Sequence, residues 1–341
     1  MKDTLKNWVW STRNFITGIK EKLHLNINMP TWVKALIYLS PALILLALFT
    51  FYPIINAFRL VIYTGYQHVR SVDGSLVESI TGYTVFGNFI KVLSADNFIT
   101  PSSHTNSSVL LNTLAIVFIS VPISIILSLF VAATLNSIKP LKSFFQTIFF
   151  LPYITNTLAI GLVFAYMFKS GSSGIVNQFF MLFGVEPVSW IERGATYWRA
   201  MTVLIAFGVW DGMAFKIMVF LSGMQGIDQQ YYQAAAIDAT PKRRIFTRIT
   251  VPMISPMIFY IVVTSVIGAF KTYSSVVAIF GDTAQPAGAN YNLKTIVFHI
   301  YDYIFSGEDL SLAAAASIIL FSIILALTLV QMYIGKKRVH Y

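Results

Sequence analysis

The 341-residue chain contains no cysteine, which removes disulfide frameworks and thiolate metal sites. Charge is scarce too: Asp, Glu, Lys and Arg together make 11% of the residues. So small a polar fraction cannot cover a water-soluble protein of this length. No G-x4-G-K-S/T stretch occurs, so the chain has no phosphate-cradling loop of its own. No nucleophile–base set, internal repeat or low-complexity tract stands out. His68, His104 and His299 lack metal-ligand spacing, and no metal site is expected. Residues 1–29 lack a compact apolar core ahead of a small-residue cleavage site, so no signal peptide is read.

What the chain has instead is apolar length. Hydrophobic residues make 56% of it, and its mean hydropathy is +0.69. Six stretches, near 35–62, 108–136, 143–168, 198–224, 255–280 and 309–335, can each cross roughly 30 Å of hydrocarbon as a helix. The expected fold is an all-α, polytopic integral membrane protein with six transmembrane helices. Pro41, Pro53, Pro122 and Pro152 fall inside these stretches, where neighbouring helices satisfy the backbone groups that proline frees. The net charge of +10 is concentrated beside the spans, in Lys20, Lys22 and Lys34, Lys139 and Lys142, 242–248, and Lys336, Lys337 and Arg338. The positive-inside rule accounts for that distribution without nucleic acid, and places both termini in the cytoplasm. Residues 1–34 form a cytoplasmic segment in which Trp8, Phe15, Ile16, Ile19 and Leu23 have helical spacing among basic residues. An amphipathic helix on the inner membrane surface and a weakly ordered tail both fit that pattern. Residues 336–341 are a cytoplasmic tail.

The loop 226–256, between the fourth and fifth stretches, is polar and basic. Ala234, Ala235 and Ala236 favour a short helix ending near Asp238. Thr240 and Pro241 read as a cap and a first helical residue, so a second helix starts there. Ile245 and Ile249 share one face of it, and Pro252 and Pro256 stop it from running into the next span. Two short helices at an angle make a knob shaped for a partner's cleft. This loop resembles the signature of binding-protein-dependent ABC importer permeases, E-A-A-x-x-D-G-A-x5-F-x-x-I-x-x-P-x3-P. Ala234, Ala235, Asp238, Phe246, Ile249, Pro252 and Pro256 match, whereas Gln233, Ala239 and Thr240 replace Glu, Gly and Ala. By that resemblance Gln233, Ala234, Ala235, Asp238, Ala239, Phe246, Ile249 and Pro252 engage an ATPase.

The likeness covers roughly 36–335 and narrows to the carbohydrate branch through 40–58, 150–157, 269–275 and 301–316. It implies one permease of an ATP-driven sugar importer in a prokaryotic cell membrane. The implied partners are a second homologous permease, two cytoplasmic ATPases that hold the ATP and Mg, and an extracytoplasmic sugar-binding protein. No cofactor is expected on this chain. Carried over by motif, substrate contacts fall on Tyr153, Thr157, Gly208, Trp210, Asp211, Gly212, Lys271, Ser274 and Ser275. Aromatic rings suit sugar faces, and polar groups suit hydroxyls.

Alternatives remain at several of these positions. Asp211 and Lys271 fit either a translocation path or a helix-to-helix ion bridge. Gly208 and Gly212 also fit a close helix seam, and Trp210 also fits a core filler. Lys216 snorkels or pairs elsewhere. Asn156 and Gln146 are expected to bond to a neighbouring helix. A glycerol-phosphate importer permease is the runner-up, because Lys271 suits a phosphate. An ion-coupled secondary transporter and an intramembrane enzyme stand further back.

Overall fold

The computed structural model describes residues 30–70, 76–95, 97–101, 107–138, 142–306 and 309–338. The amphipathic segment expected near 8–23 lies outside them, and so does the end of the tail. The chain divides into two compact units after Asn56. Most of α1 (Thr31–Leu60) belongs to the first, and no residue in this helix is buried. A helix apolar on every side and buried on none belongs in an apolar solvent.

The second unit, Ala57–Tyr341, holds the remaining elements. Two small antiparallel pairs follow α1: β1 (Tyr63–Thr64) with β4 (Gly82–Tyr83), and between them β2 (Gln67–Arg70) with β3 (Leu76–Ser79). Thr64 faces Gly82 and Gln67 faces Ser79. Helix α2 (Gly87–Leu93) comes next, and its buried Asn88 bonds to the Val61 and Tyr63 carbonyls. The long helices are α3 (Val109–Ser137), α7 (Tyr197–Gln225) and α13 (Leu310–Arg338). Between α3 and α7 lie α4 (Lys142–Ile154), α5 (Thr157–Met167) and α6 (Ile175–Met181). Between α7 and α13 lie α8 (Gln229–Ile237), α9 (Lys242–Met253), α10 (Ser255–Phe270), α11 (Ser274–Phe280) and α12 (Ile296–Ser306). Among the described residues, four helices are long and apolar enough to cross a membrane, or six if each of two bent pairs is one span. The fold is all-α apart from the strand pairs in the segment after α1.

Helix α7 organises the core. Met201, Leu204 and Phe207 from its first half pack with Val276, Tyr291 and Leu293. Ile217, Phe220 and Leu221 from its second half pack with Ala132, Leu135 and Ile261. A third cluster joins the alanines at 313–316 to Val109, Phe270 and Ile296. Buried Asn112 ties this end together by donating to the Asn292 and Lys294 carbonyls and accepting from the Tyr197 hydroxyl.

Two expected spans are not continuous helices. The stretch 143–168 breaks into α4 and α5, which meet at 99°. Pro152 lacks a helical donor, and the Thr155 hydroxyl folds back onto the Leu151 carbonyl. The Asn156 side chain then accepts from the amides of Leu158 and Ala159, starting a new helix. Asn156 is therefore an N-cap rather than a bond to a neighbouring helix, and Gln146 makes no such bond among the described residues. The stretch 255–280 ends its first helix at Phe270, because the Thr272 carbonyl accepts from the Thr295 hydroxyl at 2.6 Å. The bend between α9 and α10, 67°, falls at Ile254 between Pro252 and Pro256, where the proline spacing placed it.

Wide π turns occupy Ala47–Phe51, Ile116–Ser120 and Phe246–Thr250. Each ends two residues before a proline: Pro53, Pro122 and Pro252. Widening carries the carbonyl four residues back away from the proline ring, which would otherwise clash with it.

Candidate functional site

Both helix breaks open onto one cavity of about 520 Å3. Tyr153 and Thr157 flank the α4–α5 break, and Lys271, Ser274 and Ser275 flank the α10–α11 break. Gly208, Asp211 and Gly212 reach the cavity from α7. Eight of the nine residues singled out as substrate contacts thus share one lining. The exception is Trp210, whose ring packs 5.5 Å from Phe164 and 6.4 Å from Phe207. It fills the packing between α5 and α7 and does not line the cavity.

Helix α7 places its charges here deliberately close together. Lys216 is 7% exposed, and its ammonium donates to the Gly212 carbonyl at 2.9 Å, beside Asp211. Asp211 and Lys216, five residues apart, do not stack on one helix face and form no ion pair among the described residues. The flexible lysine stem instead bends back one turn to reach the Gly212 carbonyl. A Cβ at position 212 would lie 2.6 Å from the Lys216 ammonium, so Gly212 makes room for this lysine rather than for a helix seam. At Gly208 the nearest atom to an added Cβ is Ser120 Oγ at 3.7 Å, an ordinary contact. Asp211 and Lys271 form no ion bridge among the described residues, and the Lys294–Asp302 pair lies elsewhere, at 2.5 Å.

Further lining comes from side chains that the motif did not supply. Ser120 and Ser124 arrive from α3, four residues apart, and Thr264 and Ser265 from the middle of α10. Hydroxyls inside such apolar runs were the available signal. Tyr153 is 55% exposed and stacks on Phe215 at 5.8 Å, leaving part of its ring open to the cavity.

The second feature is the elbow of α8 and α9. Asp228 caps α8 by accepting from the Gln230 amide at 3.0 Å. The helix closes with the Thr240 amide on the Ala235 carbonyl and the Ala239 amide on the Ala236 carbonyl, a Schellman pattern. Ala239 takes the left-handed position at φ +49°, so the turn forms without the glycine of the resembled motif. Pro241, expected as a first helical residue, is the N-cap itself, with ψ 144°. The hydroxyls of Tyr232 and Thr250 meet at 3.1 Å and lock the two helices together.

The elbow's residues divide by burial. Gln233, Ala234, Asp238 and Ala239 are exposed, whereas Ala235 is buried. Phe246, Ile249 and Pro252 are half-buried, and Phe246 packs against the core cluster that holds Ile217 and Phe220. The apolar side chain left open at the tip is Ile237, 86% exposed, and the motif's variable position concealed it.

Residues 108–340 match the family described as binding-protein-dependent transport system inner membrane component. Among relatives, the lactose transport system permease protein LacF of Rhizobium radiobacter is 28% identical over 90% of this chain and 95% of its own length. A probable ABC transporter permease of Mycoplasma genitalium is 30% identical over 86% of this chain and 82% of its own. The arabinooligosaccharides transport system permease protein AraP of Bacillus subtilis is 25% identical over 87% and 86%. A bacterial ABC transporter involved in the import of the acidic polysaccharide alginate shares the fold, with TM-score 0.70 at 20% identity over 90% of this chain and 96% of that one. The chain belongs to the family of inner membrane components of binding-protein-dependent transport systems.

Proposed function

We propose that this chain is one permease of a heteromeric, ATP-driven importer whose substrate is an oligosaccharide. The observation that carries the reading is the cavity where two broken helices meet α7. It gathers an exposed Tyr153 ring, the Asp211 carboxylate, the Lys271 ammonium and several hydroxyls. An open aromatic ring suits a sugar face, and the surrounding donors and acceptors suit its hydroxyls. Intramembrane charges are expensive to insert, roughly 2.5–3.5 kcal/mol each, and their presence along a cavity favours a path.

In this reading the elbow and both termini face the cytoplasm, the side that the basic residues favour. Two ATPases, which hold the ATP and Mg, grip the elbows of this chain and of a second permease. A binding protein delivers sugar on the opposite face, to segments that include 281–306. Closing of the ATPases rocks the permeases between two packed states. This chain supplies half of the path and performs no chemistry of its own.

Reconstitution of the whole complex in liposomes tests this. Sugar uptake follows lumen-side ATP hydrolysis and persists when ion gradients are collapsed. Asp211→Asn lowers that uptake by about tenfold, a loss of about 1.4 kcal/mol, while the complex still co-purifies. Uptake driven by an ion gradient without ATP would establish a secondary transporter instead.

A further inference from the structure

The cavity's charges do not cancel. Among the described residues lining it, Asp211, Lys216 and Lys271 are the charged ones. Lys216 lies on the same helix as Asp211, with its ammonium held by the Gly212 carbonyl and no ion pair to the carboxylate among the described residues. Two ammonium groups against one carboxylate leave the lining net positive. Lys271 makes no side-chain hydrogen bond or ion pair among the described residues, and its side chain is exposed to the cavity.

Lys271 is the C-cap of α10, where the partial negative charge of the last carbonyls stabilises a cation. A neutral sugar returns little for an ammonium kept in a low-dielectric path. A carboxylate returns a charge-assisted hydrogen bond. Asp211, taken alone, would repel an anion, but the two ammonium groups of Lys216 and Lys271 outnumber it in the lining.

We infer that the oligosaccharide carried through this cavity is acidic, with a uronate carboxylate meeting Lys271 while neighbouring sugar units face Tyr153 and the hydroxyls. The inference rests on the importer reading and names its substrate class.

The test uses the complete reconstituted importer with its binding protein. The probes are trisaccharides of galacturonate and of mannuronate, each beside its counterpart with carboxyls reduced to alcohols. An acidic trisaccharide should be taken up at least about tenfold faster than its reduced counterpart under ATP. Lys271→Gln should cut acid uptake by about tenfold, and Lys271→Arg should retain most of it. Equal or faster uptake of the reduced sugars overturns the inference and leaves the oligosaccharide importer standing. An acid preference that survives Lys271→Gln overturns the assignment to Lys271. Uptake of neither form removes the oligosaccharide reading, and the inference with it. Co-purification of the complex controls for assembly of each variant.

Discussion

Ala239 holds a conformation that L-residues other than glycine enter rarely, at φ +49° on the surface of the elbow. Its Cβ crowds the following carbonyl, a strain of about 1 kcal/mol. Ala239→Gly should relieve it and raise the melting temperature of the purified chain in detergent, whereas Ala239→Val should lower it. Two positions away, Ile237 leaves its side chain in solvent, an arrangement that suits contact with another subunit. Ile237→Asp should weaken capture of the ATPases about tenfold in a pull-down, without changing the melting temperature. Phe246→Asp should lower the melting temperature, because the ring is half-buried against the core cluster of α7's second half. Residue type alone marked Asp211, since a carboxylate in an apolar run has few reasons to be there. The other expected members came from the resemblance, and the hydroxyls of Ser120, Ser124, Thr264 and Ser265 went unmarked. Residue types did not separate Trp210 from Tyr153, because an aromatic ring suits a core and a sugar equally. Nor did they reveal that Gly212 serves Lys216, a relation that exists only once the lysine stem has bent back.

At the level of elements, the chain reads well where proline punctuates it and poorly where side chains do. Pro252 and Pro256 announced the α9–α10 bend. The break after Ile154 depends on Asn156 turning its side chain onto two backbone amides, a local choice that the apolar run around it masked. The short strand pairs after α1 are not legible in the sequence, since two and four residues give no period to detect. Helices α5 and α11 meet through Gly161, where an added Cβ would lie 2.3 Å from the Cβ of Ala278. Gly161→Ala should therefore push these helices apart and lower stability by about 1–3 kcal/mol. Pairing it with Ala278→Gly should restore the melting temperature, which shows that the loss comes from that one contact.

Across the whole molecule, apolar length settled the class of fold because only a closed hydrogen-bonded helix survives in hydrocarbon. The segment before α13 adds a sensitivity to acid. His299, on α12 outside the spans, packs on Phe98 and shares a hydrogen bond with Tyr303. Burial pushes its pKa down from 6.5 to about 4, with Asp302 opposing the shift and Lys294 adding to it. The unfolded chain thus takes up a proton near pH 6.5 that the folded one refuses until about pH 4. Stability is retained above that window and lost as pH falls through it. Melting temperatures from pH 7 to 4 should fall less steeply in His299→Gln than in the parent chain.

The three widened turns have a mechanical outcome. A helix of ordinary turns moves as a rod, whereas one surplus residue beside a proline gives compliance at a fixed place. Phe246–Thr250 sets that compliance between the tip at Ile237 and the helix that Lys271 caps. A push on the tip then arrives at the cavity as a change of tilt, and the rod beyond it keeps its own length and bonding.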